Sequence, residues 1–250
     1  HWSAQGGKEC LYFTENTGRD NPKLGRRVYK TDLSGKVLFT IGAVSKDDST
    51  HRKFDWQNPT NLAIGPNGDI YVVDGYGSQQ ITRFDRDWQP LNTIGRPTEA
   101  KDRGPQAPND TFSTCHGIWV DTRKAEPEIY VADRANRRIQ VFSPELEYKR
   151  TVAGEDVRHP CAFHQHDGHL YVADLDSVVT IWNDRDECVA RLGDGISLPG
   201  GGIQASRELD RTFKNRFFAP HALTVDTEGS LYVVEWVGWG RVRKFRHTPV

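Results

Sequence analysis

Hydrophobic and polar positions alternate along the chain in short runs, and one arrangement of them recurs five times. Its core is an apolar residue, a Tyr, a Val or Phe, any residue and an acidic one. It reads LYFTE at 11–15, IYVVD at 70–74, IYVAD at 129–133, LYVAD at 170–174 and LYVVE at 231–235. A polar turn and a second run follow each core: RVYKTD, ITRFDRD, IQVFSPE, VTIWNDRD and VRKFRH. Four repeats then carry a third run, KVLFTIG, PLNTIG, YKRTVAG and CVARLG. Four cores are preceded by a short apolar run and a Gly-containing turn, as in NLAIGPNGD and ALTVDTEGS, whereas the first has the more polar lead-in WSAQGGKE. Alternation without a strong helical period predicts four-stranded antiparallel units.

The acidic ends of the cores fall at 15, 74, 133, 174 and 235, in steps of 59, 59, 41 and 61 residues. Propeller blades run about 40–50 residues. The excess lies in three polar stretches, roughly 43–57, 96–114 and 194–218, which read as long loops on one face, where binding groups tend to be carried. The expected fold is therefore all-β, a single β-propeller domain over 1–250. The last repeat ends without an outer strand and the first begins at its innermost one. This predicts six blades in the intact protein, five of them here, with an N-terminal blade or strand preceding His1. A closed five-bladed ring is the alternative.

Composition agrees with this and narrows the function. Gly 23 and Pro 13 suit a turn-rich β protein. Lys plus Arg number 33 against 34 Asp plus Glu. That balance lacks the basic excess of a nucleic-acid binder, and the cluster RANRR at 134–138 is too small to supply it. Apolar runs of only a few residues predict no membrane-spanning helix. Four Cys are not a disulfide-dense pattern. They leave the compartment open, with the cytoplasm slightly favoured over secretion.

Chemistry enters at the residue opening the inner strand of each repeat: His1, Thr60, His116, Cys161 and His221. Inner strands line the central channel, so these side chains should stand at one height around one axis. His takes the first, third and fifth places. In a six-bladed ring those places are three-fold related, and three imidazoles with an open fourth position form a catalytic zinc site. His-Gly and Pro-His turns can also be purely structural. Cys161, at the same level, reads either as a further ligand or as a buried structural Cys. Two residues just after the acidic core ends also stand out, Tyr76 in VVDGYG and Arg134 in VADRANRR. A Tyr beside a metal and an Arg can act as a base, and an Arg can grip a carboxylate with two prongs. The plain alternative is a Tyr packed on its blade and an Arg paired with a nearby Asp. Trp56, Trp119, Trp236 and Trp239 read as inter-blade packing, with Trp236, directly after a core, the one that could meet a ligand.

These segments resemble the NHL-type six-bladed propeller of the peptidyl-α-hydroxyglycine α-amidating lyases. The similarity is carried by PTNLAIGPNGDIYVVDGYGSQQITRF, CHGIWVDTRKAEPEIYVADRANRRIQVF and FAPHALTVDTEGSLYVVEWVGWGRVRKF. It covers most of the chain but omits the family's first blade. The resemblance implies a catalytic zinc on His1, His116 and His221, a catalytic Tyr at Tyr76, a functional Arg at Arg134 and a structural calcium held largely by backbone oxygens. It implies cleavage of an α-hydroxyglycine-type carbinolamide into an amide and glyoxylate or a related aldehyde, on a peptide or small-molecule substrate that bears a carboxylate. The chain departs from the family at Ala222, where the family has Asp. It also lacks the first-blade Arg, and Cys10, Cys115, Cys161 and Cys188 do not reproduce the family's disulfides. A lactonase-like metal hydrolase and a non-catalytic NHL binding scaffold are the rival readings. The His set argues against the first, whose metal is held by Asp, Glu and Asn.

Overall fold

A computed structural model describes residues 2–5, 8–16, 25–43, 49–193 and 216–248. Five antiparallel sheets follow one another along the chain, each built from one repeat. The first contains β1 (Trp2–Gln5), β2 (Lys8–Glu15), β3 (Arg27–Thr31) and β4 (Val37–Gly42), with β5 (His51–Lys53) added parallel to β4. The second contains β6 (Asn61–Ile64), β7 (Ile70–Val73), β8 (Ile81–Phe84) and β9 (Pro90–Ile94). A two-stranded parallel pair, β10 (Arg96–Pro97) with β11 (Thr111–Phe112), precedes the third sheet. That sheet holds β12 (Cys115–Asp121), β13 (Glu128–Asp133), β14 (Arg138–Phe142) and β15 (Tyr148–Ala153). The fourth holds β16 (Pro160–His166), β17 (His169–Asp174), β18 (Val178–Trp182) and β19 (Cys188–Gly193). The fifth holds β20 (Pro220–Val225), β21 (Leu231–Glu235) and β22 (Arg241–Phe245).

The inner strands β6, β12, β16 and β20 pack against one another in turn, so the sheets are blades around a common channel. This is a β-propeller of five blades, one per repeat; a sixth is not among the described residues. The five tyrosine-bearing cores are β2, β7, β13, β17 and β21, and the four third runs are β4, β9, β15 and β19.

Apolar residues alternate because successive blades pack face to face, blades two to four between two others. The core is accordingly divided into inter-blade layers. Tyr12, Val28, Trp56, Leu62 and Phe84 fill the space between blades one and two. Tyr71, Val73, Ile118 and Val131 fill the next, and Tyr130, Val141, Phe163 and Val172 the one after. Trp56 thus packs between blades as the sequence suggested. Full burial of such side chains contributes roughly 1.5–3 kcal/mol each.

The long stretch 96–114 differs from the expectation of a free binding loop. Arg138, only 1% exposed, reaches into it and donates to the carbonyls of Ala107, Pro108 (3.0 Å) and Thr111 (2.9 Å). A guanidinium carries five donors, enough to tie a whole loop to the blade beneath it. The stretch 43–57 likewise contains a strand, β5. Residues 194–215 lie outside the described residues.

Candidate metal and substrate site

In four of the five blades the acidic residue that ends the core strand fixes the chain leading into the neighbouring inner strand. Asp74 accepts from the backbone N–H groups of Gln57 (2.9 Å) and Asn58 (2.5 Å). Asp133 accepts from Ser113 N–H (2.8 Å), and Glu235 from Phe218 N–H (2.9 Å). Asp174 accepts from Arg158 and His159 N–H, both at 2.9 Å. All four carboxylates are buried. Their repetition follows from geometry: an inner strand entering from a loop has orphan N–H groups, and a carboxylate satisfies two at once.

Immediately after these anchors the inner strands bulge. In β16 the register passes from Pro160–Asp174 to Ala162–Ala173, leaving Cys161 as the surplus residue. In β20 it passes from Pro220–Glu235 to Ala222–Val234, leaving His221. In β12 the surplus falls at His116-Gly117, between Cys115–Asp133 and Ile118–Val131. A bulge bends the strand and re-aims a side chain. Here it turns three consecutive blades' residues to one point. The ligand-type atoms of His116, Cys161 and His221 lie within 4.8 Å of one another, and the two imidazole centroids are 4.7 Å apart, edge to face. They line a cavity of about 260 Å³ shared with Phe13, Thr14 and Asn61.

Close approach of the blades is needed for this. Gly117 lies so near the next blade that a Cβ there would sit 2.3 Å from the Cys161 carbonyl oxygen. That same carbonyl faces His116 Nδ1 at 2.9 Å. Since a carbonyl only accepts, Nδ1 carries the hydrogen and the Nε2 lone pair is left free, as it is in ligating histidines. Burial, reinforced by Arg134 and His221, pushes the His116 pKa down to about 3. Burial and Arg134 push that of His221 down to about 4. Both imidazoles are therefore neutral and able to donate to a metal at ordinary pH. Burial raises the Cys161 thiol to about 11, with Arg134 opposing that rise. Two neutral imidazoles and a thiol, gathered in a cavity, fit a zinc ion by donor type.

Tyr76 and Arg134 come together beside this cluster. Arg134 Nη2 donates to the Tyr76 hydroxyl oxygen at 3.0 Å, and its Nη1 donates to Cys161 Sγ at 3.6 Å. The Tyr76 ring stands edge-on to His116 with centroids 5.6 Å apart. The two residues are counterparts. Arg134 N–H donates to Thr114 O, Trp236 N–H to Ala219 O and Leu175 N–H to His159 O, always two residues before the inward-facing one. Tyr76 N–H makes the same bond to Asn58 O, two before Thr60. Gly75 is the extra residue that shifts this partner by one, and a Cβ there would lie 1.8 Å from Cys115 O.

Of the residues singled out from sequence, His116, His221, Tyr76 and Arg134 are thus gathered in one place. His1 lies outside the described residues. Thr60 is structural, its hydroxyl donating to Cys115 O at 3.0 Å. Trp236 is 43% exposed and lies 6.2 Å from His221 by ring centroids. Gln79 was not visible in the sequence. Its Oε1 accepts from Thr114 N–H (2.7 Å) and Cys115 N–H (3.2 Å), while its Nε2 donates to Gly75 O (2.7 Å). It therefore ties the Tyr76 turn to the lead-in of His116, where Thr114 holds a left-handed φ of 63°. Among the described residues the four cysteines form no disulfide.

No family model matches the chain. NHL repeat-containing protein 3 of Homo sapiens is 26% identical over 228 residues, 88% of this chain and 59% of that protein. The probable peptidyl-alpha-hydroxyglycine alpha-amidating lyase pgal-1 of Caenorhabditis elegans is 29% identical over 130 residues, 50% of this chain and 34% of that protein. Peptidyl-alpha-hydroxyglycine alpha-amidating lyase 1 of Drosophila melanogaster is 32% identical over 111 residues, 43% of this chain and 19% of that protein. The chain therefore spans just over half the length of the human protein and less of the lyases. Among solved structures, a protein from Bacteroides caccae superposes with a TM-score of 0.55 at 15% identity, covering 97% of this chain and 79% of that one. Virginiamycin B lyase from Staphylococcus aureus with quinupristin gives 0.53 at 13%, covering 96% and 75%. At such identities these two establish the fold alone. The chain is a β-propeller homologous to NHL repeat-containing protein 3 and to the peptidyl-α-hydroxyglycine α-amidating lyases.

Proposed function

We propose that this propeller is a zinc-dependent lyase that splits the C–N bond of an α-hydroxyglycine-type carbinolamide, releasing an amide and glyoxylate or a related aldehyde. The observation that carries this is the Arg134–Tyr76 hydrogen bond at 3.0 Å set edge-on to a neutral His116, itself 4.7 Å from His221. His116 and His221 would hold zinc, joined by His1 as the sequence phase expects. Bound there, zinc supplies a Lewis acid for the substrate's hydroxyl oxygen.

The remaining chemistry belongs to the side chains. Because Arg134 can only donate, the Tyr76 oxygen accepts from it and keeps its own proton position open to substrate. Tyr76 relays the proton: its oxygen accepts the substrate's hydroxyl proton as the C–O bond becomes a carbonyl, while its own proton passes to the nitrogen that leaves with the C–N electron pair. The phenol is regenerated, so the reaction is redox-neutral and needs no water. The other N–H groups of Arg134 suit a substrate carboxylate, in a cluster to which no carboxylate of the described residues belongs. The exposed ring of Trp236 offers an apolar face for the acyl side of the substrate.

Glyoxylate release from α-hydroxyhippurate is the direct assay. The zinc-loaded chain should form glyoxylate and benzamide in equal amounts, a chelator should stop it, and added zinc should restore it. A folded, zinc-loaded chain that forms neither product would sink the proposal. The second reading, a non-catalytic NHL propeller, would then stand. It is favoured by the match to NHL repeat-containing protein 3, which covers more of this chain than the two lyase matches described above.

A further inference from the structure

We infer that the metal centre takes a thiolate ligand from Cys161, so that the fourth blade contributes to a site the sequence phase assigns to histidines of the first, third and fifth. The inference rests on the zinc-binding part of the reading above. Three separate features support it.

The first is backbone geometry. Cys161 is the surplus residue of its bulge as His221 is of its own, so the strand distortion that aims an imidazole at the channel aims this sulfur there too. A Cys kept only for packing has no need of a bulge that turns it away from its sheet. The second is proximity. Sγ belongs to the same 4.8 Å cluster as the two imidazoles of His116 and His221. The sulfur and the His116 ring are also coupled through the backbone, because the Cys161 carbonyl accepts from His116 Nδ1 and so directs Nε2 away from itself. The third is charge. Arg134 Nη1 lies 3.6 Å from Sγ, placing a guanidinium against a side chain that is otherwise fully buried. A half-buried cation beside a buried neutral thiol gains little from it; beside a metal-bound thiolate its charge is compensated.

On binding, the S–H bond breaks, its proton leaves to solvent and the sulfur electron pair forms the metal–sulfur bond. The sulfur also loses its present bond to His159 O at 3.7 Å. A thiolate lowers the charge of the centre by one relative to imidazole. Arg134 then serves both the sulfur and the Tyr76 oxygen, which links the proton-transfer residue to the metal.

Cobalt(II) in place of zinc reads this directly. The full chain loaded with cobalt should show visible d–d bands of a tetrahedral site together with an intense sulfur-to-cobalt band in the near ultraviolet. Cys161→Ser should remove the near-ultraviolet band and weaken zinc binding by more than about 100-fold, the upper end of what losing a mere supporting partner costs. Cys115→Ser, which alters a buried thiol outside the cluster, should leave the spectrum unchanged. Cobalt bound with d–d bands but no sulfur band would overturn the thiolate and leave the zinc reading standing. Failure of the folded chain to bind either metal would overturn both. Should Cys161→Ser not fold, the zinc absorption edge of the unaltered chain decides. A sulfur scatterer at about 2.3 Å supports the inference, and a shell of only light atoms at about 2.0–2.1 Å refutes it.

Discussion

Asp133→Ala is expected to destabilise the chain by about 3–5 kcal/mol, the usual cost of removing one partner of a buried ion pair. Asp133 is fully buried and its carboxylate is saturated. It accepts from Ser113 N–H at 2.8 Å, Arg138 Nε at 2.7 Å, Asn136 Nδ2 at 2.9 Å and Gln140 Nε2 at 3.2 Å. The substitution leaves the Arg138 guanidinium buried with only backbone carbonyls around it. It also orphans the Ser113 N–H, three residues before His116. The damage should therefore reach both the 96–114 loop and the metal site. Urea unfolding at constant m would show it as a lowered midpoint. A loss below about 1 kcal/mol would mean that the carbonyls of Ala107, Pro108 and Thr111 alone sustain the charge.

Tyr76→Phe should behave in the opposite way, costing activity and not stability. The Tyr76 side chain is 43% exposed, and its ring contacts with His116 and with the Arg134 guanidinium do not need the hydroxyl. Surface changes of this kind stay within about 0.5 kcal/mol. If the phenol carries the proton from hydroxyl to leaving nitrogen, kcat for glyoxylate release should fall by about 10²–10⁴, with KM little changed. An unchanged kcat would remove Tyr76 from the mechanism. A raised KM with kcat intact would make it a binding residue only.

How far the sequence could be read is clearest at particular residues. The five core strands were legible because a Tyr every blade is a packing necessity, and the inward phase of His116, Cys161 and His221 followed from counting back from them. The bulges that turn those side chains to one point leave no residue signature, being a matter of register. The pairing of Tyr76 with Arg134 is a case between the two. Both stood out, but their equivalence depends on Gly75, whose insertion is recognisable only through the shared bond to the residue two before the inner strand. The cluster RANRR read as a small basic patch, yet Arg134 faces the site and Arg138 is among the most buried side chains of the molecule. Long polar side chains at the end of a strand can point either way, and only the position of Asp133 decides. Gln79, a polar turn residue by sequence, becomes a brace between two blades for the same reason.

Metal content tests the central claim most directly. Elemental mass spectrometry on the purified full chain, beside His116→Ala shown by circular dichroism to be folded, should give about one zinc per chain in the first and none in the second. No zinc in the folded chain, or zinc retained undiminished by the variant, would contradict the account.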